Sequence, residues 1–167
     1  MQHVLIANRG EIAIRIARAA AEAGYETTAV HAEDDVNSLH LGHCDHVVAL
    51  PGTGPAAYLD IEAVLDAARQ SGADAIHPGY GFLSENAAFG QAVADAGLTF
   101  IGPSPDALRV FGDKAEARAL AERVGVPVVA GTKGATDHAE ALAFMEGLGQ
   151  GAAVMVKAVS GGGGRGM

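Results

Sequence analysis

Residues 3–30, HVLIANRGEIAIRIARAAAEAGYETTAV, decide the fold class. His3 to Ala7 is a short β-rich apolar run, and Asn8-Arg9-Gly10 is a polar turn. From Glu11 to Ala23 apolar residues return at helical spacing, at Ile12, Ile16, Ala19, Ala20 and Ala23, which predicts a helix burying that stripe. Gly24 suits the left-handed position that ends a helix, and Thr27 to Val30 returns to strand composition.

The alternation continues outward. His46 to Leu50 is a third strand, the loop PGTGP follows, and a helix is expected over Tyr58 to Gln70 with Leu59 or Ile61, Val64, Leu65 and Ala68 inward. Gly72 ends it, and Ala73 to Ile76 is a fourth strand. The loop HPGYGFLSEN over 77–86 leads into a helix to Asp95, then Gly97 and a fifth strand, Leu98 to Ile101. Strands and helices alternating through short loops indicate an α/β domain over residues 1–103, its mostly parallel sheet covered by helices.

The pattern changes after Gly102-Pro103. Ser104 with Pro105 behind it starts a short helix, Gly112-Asp113 breaks it, and Lys114 to Arg123 is helical. Val126 to Val129 is extended, so residues 104–128 read as a helical linker. Asp137 and Glu140 form a capping box for a helix to Leu148, and Val154 to Val159 is a strand running into Ser160 and four glycines. This last part is expected to be too small to bury a core of its own.

Composition excludes several function classes. Hydrophobic residues make up 49% of the chain and charged residues 19%, which rules out disorder for most of it. A net charge of −9 argues against a broad grip on nucleic acid or an anionic membrane. Trp is absent and Tyr is scarce, so a base-stacking sheet is unsupported. The single Cys44 allows neither an internal disulfide nor a paired-thiol site. With no apolar run of membrane length and no basic secretory n-region, the chain is expected to be cytoplasmic, or in the mitochondrial matrix of a eukaryote.

The strongest candidate for chemistry is Lys157 with the loop Ser160, Gly161, Gly162, Gly163, Gly164 and Gly166. Consecutive glycines cost backbone entropy, but they let a loop fold over a polyphosphate and present its N–H groups, while Lys157 adds a point charge. The motif is not a P-loop, because the lysine precedes the glycines. A flexible linker fits the same glycines, and the residues alone leave both readings open. The first loop, Asn8-Arg9-Gly10-Glu11, stands where a dinucleotide fingerprint would but has one glycine in place of three. Arg9 and Glu11 are expected to pair locally, and Glu33, Asp34 and Asp35 are a weak signal for a ribose-binding acid.

HPGYGFLSEN follows a strand end, where ligands of open α/β sheets collect. Gly79 and Gly81 flank Tyr80 and allow close backbone approach, Ser84 or Asn86 can cap the next helix, and His77 can brace the loop. Site and scaffold are equally good accounts of these residues. His40, His43, Cys44, Asp45 and His46 suggest a metal, but no second cluster completes a zinc pattern, and a polar strand entry with solvent-facing histidines is the better account. Lys114 matters only as a second phosphate-directed cation.

Together these motifs closely resemble the N-terminal part of biotin carboxylase, in the ATP-grasp superfamily. The residues carrying the resemblance are ANRGEIAIRIARAA at 7–20, IHPGYGFLSEN at 76–86, FIGPS at 100–104, GDK at 112–114 and VKAVSGGGGRGM at 156–167. It implies a Rossmann-like parallel-sheet domain before the ATP-grasp fold, then the start of an ATP-grasp lid over 129–167. It implies that bicarbonate is phosphorylated by ATP with Mg2+ or Mn2+, and that the resulting carboxyphosphate delivers CO2 to biotin. Lys114 and Lys157 would hold ATP phosphates, Ser160 to Gly166 would close over them, and Met167 would line the nucleotide pocket. Tyr80 and Gly81 would stand at the biotin edge. Implied partners are a biotin carboxyl carrier protein or domain, a carboxyltransferase component and, in some relatives, a second copy of the chain.

The resemblance places the metal ligands, the bicarbonate-binding arginine and the catalytic base beyond residue 167, so no catalytic residue is assigned here. Other ATP-grasp carboxylate–amine ligases are disfavoured by HPGYGFLSEN, and a non-catalytic nucleotide-binding module is the reading from another class. The 167-residue chain by itself is therefore expected to show no biotin-stimulated, bicarbonate-dependent ATP hydrolysis. Turnover by that chain alone in a coupled ADP assay would contradict this.

Overall fold

The computed structural model describes residues 1–132 and 134–157. The chain divides into two compact units, Met1–Leu108 and the part from Arg109 onward. In the first, five strands form one sheet: β1 (His3–Ile6), β2 (Glu26–His31), β3 (His46–Ala49), β4 (Ala75–His77) and β5 (Thr99–Phe100). Their order is β3-β2-β1-β4-β5, and every pairing is parallel. This is the Rossmann-like arrangement expected, with the strand order reversing between β1 and β4.

Both faces of the sheet are covered, as a parallel sheet requires. On one side Val4, Ile6 and Ala75 pack with Ala13, Ile16 and Ala17 of α1 (Gly10–Glu22). On the other, Leu5, Val30, Val48 and Ile76 pack with Val64, Leu65 and Ala68 of α3 (Ile61–Ser71) and Phe89 and Val93 of α4 (Ala87–Asp95). The buried stripe of α1 is Ala13, Ile16, Ala17 and Ala20, with Ile12 packed beside it, so Ile12, Ile16 and Ala20 face inward as expected, whereas Ala19 and Ala23 face outward. Alanine on every side of this helix gives burial little to choose by, so Ile12 and Ile16, one turn apart and packed on the same cluster, set the face and the alanines follow.

The helix expected from Tyr58 is broken. A single turn, α2 (Gly54–Ala57), precedes α3, which begins only after Asp60 caps Ala63 N through its carboxylate at 3.1 Å. Tyr58 is thereby turned into the core, at 2% exposure, while Leu59 is exposed. Asn86, rather than Ser84, caps α4 by accepting from Phe89 N at 3.0 Å. Helix α5 (Pro105–Gly112) docks through Leu108 against Gly90 of α4, where a Cβ would lie 3.4 Å from the leucine methyl.

The second unit contains α6 (Lys114–Arg123), capped by Asp113, and α7 (His138–Gly147), which has the expected Asp137–Glu140 capping box. None of its described residues is buried. Val126 to Val129 and Val154 to Lys157 lie in no strand. The strand expected over Val154 to Val159 is corrected for residues 154–157, since β-rich composition yields a strand only beside another strand and none adjoins them among the described residues. Among the described residues, no helix is long and apolar enough to cross a membrane.

Candidate functional site at the sheet switch point

The loops leaving β1 and β4 part company where the strand order reverses, and such a switch point opens a crevice at the carboxyl ends of the strands. Here the crevice is a cleft of about 480 Å3, lined by Asn8, Arg9, Gly10, Asp35, Tyr80 and Gly81, among others. One side chain ties its two banks together. Asn8 is 2% exposed, and its amide donates to the carbonyls of Pro78, at 2.7 Å, and Tyr80, at 2.8 Å. Its Oδ1 accepts from Arg9 N at 2.9 Å, so both N–H bonds and the oxygen of the amide are used.

The HPGYGFLSEN loop is shaped by this contact. Gly79 has φ +66, and a Cβ there would lie 2.7 Å from Asn8 Nδ2, so a side chain is excluded on two grounds. Gly81 is also left-handed, with open space around it, and Phe82 has the unusual φ of 41. His77 braces the turn by accepting from Gly79 N through Nδ1 at 3.0 Å, and burial lowers its pKa, favouring the neutral ring that can accept. The loop thus presents Tyr80, 63% exposed, to the cleft, with its hydroxyl 3.4 Å from Glu11.

Charge on the opposite bank is organised around Asp35. Its carboxylate accepts from Ser38 Oγ, from Tyr58 OH at 2.8 Å and from Arg9 Nη1 at 3.2 Å. The Ser38 hydrogen bond foremost, then those of Tyr58 and Arg9, outweigh burial and hold its pKa at about 2. Burial raises the Tyr58 hydroxyl's pKa, so it remains a donor. The Arg9 guanidinium lies 5.8 Å from the centre of the Tyr58 ring. The local Arg9–Glu11 pair expected from sequence is therefore replaced by Arg9–Asp35, since the turn sends the two neighbours apart. Glu33 and Asp34 accept from Gly52 N and Gly54 N and brace the β3–α2 loop.

The other sequence-derived candidates fall elsewhere. Lys114 is the first residue of α6 and Lys157 is exposed, both in the second unit. Ser160, Gly161, Gly162, Gly163, Gly164, Gly166 and Met167 lie outside the described residues. The histidine stretch holds no metal cluster of its own among the described residues. His40 is fully buried, contrary to the solvent-facing account, and bonds Val30 O at 3.0 Å, while Asp45 is taken up by Thr27. Asn8 was missed as a site residue; its place directly after a buried strand, opposite a Pro-Gly loop, was the available signal.

Residues 1–108 match the family model of the biotin carboxylase N-terminal domain. The chain belongs to the biotin carboxylase family. Residues 113–167 match the ATP-binding domain of the carbamoyl-phosphate synthase large chain, an ATP-grasp architecture. The chain is 51% identical over 166 residues to the biotin-dependent acyl-coenzyme A carboxylase alpha3 subunit of Mycobacterium leprae, covering 98% of this chain and 27% of that one. It is 46% identical to the biotin carboxylase of Pseudomonas aeruginosa, covering all of this chain and 37% of that one. Among solved structures, the biotin carboxylase domain of a single-chain bacterial carboxylase superposes with a TM-score of 0.85 at 56% identity, over 89% of this chain and 34% of that one. The corresponding domain of Hydrogenobacter thermophilus 2-oxoglutarate carboxylase, determined with MgADP, ADP and bicarbonate, gives 0.90 at 40% identity, over 98% of this chain and 36% of that one. The chain therefore spans well under half the length of these relatives.

Among the described residues, the only three ligating side chains close enough to share an ion are His3, Glu26 and His46, at the opposite ends of the strands from the cleft. Two imidazoles and one carboxylate do not suit Mg2+, which takes oxygen ligands, so these residues do not supply the Mg2+ of an ATP site.

Two measurements check the geometry. Gly79→Ala is expected to cost about 2 kcal/mol or more, from the left-handed backbone plus the Asn8 clash, against about 1 kcal/mol for Gly81→Ala, which meets only the backbone cost. Equal urea midpoints for the two variants would mean that the Asn8 contact adds no cost at position 79. Because the Asp35 pKa is lowered on folding, its stabilisation is present above about pH 4 and is lost as pH falls through about 2. Urea midpoints of Asp35→Asn should accordingly fall less steeply than those of the parent between pH 4 and pH 2; parallel slopes would contradict this.

Proposed function

We propose that this chain is the N-terminal portion of an enzyme that carboxylates carrier-bound biotin at the expense of ATP and bicarbonate. The observation that carries the reading is collinearity. A biotin carboxylase N-terminal model and an ATP-binding model match in order along the chain, the first over the whole of the first unit. We further assign residues 129–167 to the start of an ATP-grasp lid. Exposed apolar side chains in the second unit, among them Val129, Leu142, Met155 and Val156, support that assignment, since a lid subdomain would bury them with further chain.

The roles follow from the chemistry. Bicarbonate is a poor electrophile until one oxygen is phosphorylated, and phosphoryl transfer is accelerated mainly by positioning and by charge aimed at the phosphate oxygens. Lys157 and Lys114 supply cations for this. Lys114 sits at the positive end of α6, where a helix dipole disfavours a cation, and a phosphate there would draw on both charges. Ser160 to Gly166 would supply backbone N–H groups and close over the phosphates, sheltering a carboxyphosphate from water. Tyr80 and Gly81 would form the edge of the biotin pocket, held at the cleft by Asn8. Bicarbonate, a biotin carboxyl carrier and a carboxyltransferase component complete the proposed set of partners.

The test is ATP hydrolysis by the full-length protein with bicarbonate, with and without free biotin. Turnover should require bicarbonate and rise with biotin, and Lys157→Gln should raise the KM for ATP by roughly 10-fold or more, the value of one charge-assisted phosphate contact. ATP-dependent joining of another carboxylate to an amine without biotin would favour a different ATP-grasp ligase. Nucleotide binding with no turnover would favour a non-catalytic module.

A further inference from the structure

We propose that His3, Glu26 and His46 form a binding site for a zinc-class divalent cation, separate from the cleft, which fastens the leading ends of three strands together. These residues open β1, β2 and β3, whereas the cleft is built where β1, β2 and β4 finish. Strand register puts the three side chains on one face. His3 pairs with Glu26, His46 pairs with Thr28, and residues 26 and 28, two apart on one strand, point the same way.

The geometry is that of a site with one fixed ligand and two adjustable ones. The His3 ring is nearly buried, with Nε2 2.7 Å from Thr28 Oγ1, and Thr28 itself is wholly buried. A hydrogen bond to the far nitrogen is the usual device that orients a metal-binding imidazole. With Nε2–H donating to Thr28, the Nδ1 lone pair faces Glu26 Oε2 at 3.9 Å, too far for a hydrogen bond. In that tautomer a cation between Nδ1 and the carboxylate would be bonded by both. His46 approaches the same carboxylate from the other side, with Nε2 2.8 Å from Glu26 Oε1, and the two imidazole rings are 5.4 Å apart.

One ligand atom from each residue lies within 4.8 Å of the others. Tetrahedral zinc, with bonds of about 2.1 Å, wants its ligands roughly 3.4 Å apart. The closing movement falls to Glu26 and His46, whose side chains are half exposed. Two imidazole nitrogens and a carboxylate oxygen select Zn2+, Ni2+ or Cu2+ over Mg2+ and Ca2+, and water would complete the fourth position. The bound ion would neutralise Glu26 and add a link across three strands, two of which are already tied at this end by the Asp45 carboxylate on Thr27.

The experiment titrates Zn2+ calorimetrically into the full-length protein in millimolar Mg2+, so that hard oxygen sites are already occupied. It is repeated with Co2+, followed by visible absorption, and with Tm measured with and without Zn2+. The expected result is one zinc per chain and a Tm that rises with zinc. His46→Ala and Glu26→Gln should each weaken that event at least tenfold and abolish the Tm rise, while His43→Ala should leave both intact. The two test positions are on the surface, and circular dichroism verifies that the variants fold. No saturable event in the parent, an event unchanged in either test variant, or loss in His43→Ala overturns the proposal.

Discussion

The Asn8 side chain is the constraint on which the rest of the cleft depends. At a switch point two loops leave neighbouring strands in opposite directions, and nothing in sheet hydrogen bonding obliges them to stay close. A buried amide with two donors and one acceptor solves this in one step, because both donors reach carbonyls of the β4 loop and the acceptor holds the β1 turn. A carboxylate of the same shape would face two carbonyls, and an aliphatic side chain would leave them unpaired at about 1–3 kcal/mol each. The glycine at position 79 is the complementary half of this arrangement, since the amide occupies the place of its missing side chain.

The acidic segment after β2 takes its meaning from the same neighbourhood. Glu33, Asp34 and Asp35 look in sequence like candidates for a ribose hydroxyl. Folded, Glu33 and Asp34 are committed to backbone N–H groups, and Asp35 gathers a serine, a tyrosine and an arginine. Arg9 thereby has a fixed carboxylate partner on the far bank, which holds a cation at the rim of the cleft without leaving it uncompensated. Tyr58 supports Asp35 from within the core, and its hydroxyl also accepts from Ala32 N at 3.2 Å. On this side of the cleft the central charge, Asp35, is thus anchored to a buried tyrosine.

Strand and helix order was legible in the sequence because the strands are short apolar runs and glycines such as Gly24 and Gly72 stand at helix ends with positive φ. Helix faces were less legible, since alanine recurs around α1 and does not mark a side. The break at Tyr58 was hidden because a tyrosine beside a leucine fits a helical stripe as well as a turn. The run Val154 to Lys157 failed as a strand for the opposite reason: its composition was right, but pairing is a property of the neighbour. Tyr80 and Gly81 were visible from their glycine-flanked loop, whereas Asn8–Pro78, Arg9–Asp35 and His3–Glu26–His46 join residues far apart in the chain. Such pairs depend on register, which a linear pattern does not display.

The two edges of the sheet are both short. β3 has four residues, and β5 has two. An edge of that length offers too few unpaired N–H and C=O groups to template another strand, which protects the domain against edge-to-edge association. It also removes one mode of recognition, because a partner cannot dock on this domain by adding a strand of useful length. What this domain presents for recognition is therefore side chains and loops, and specificity there would be written in surface residues rather than in the backbone hydrogen bonds of an added strand.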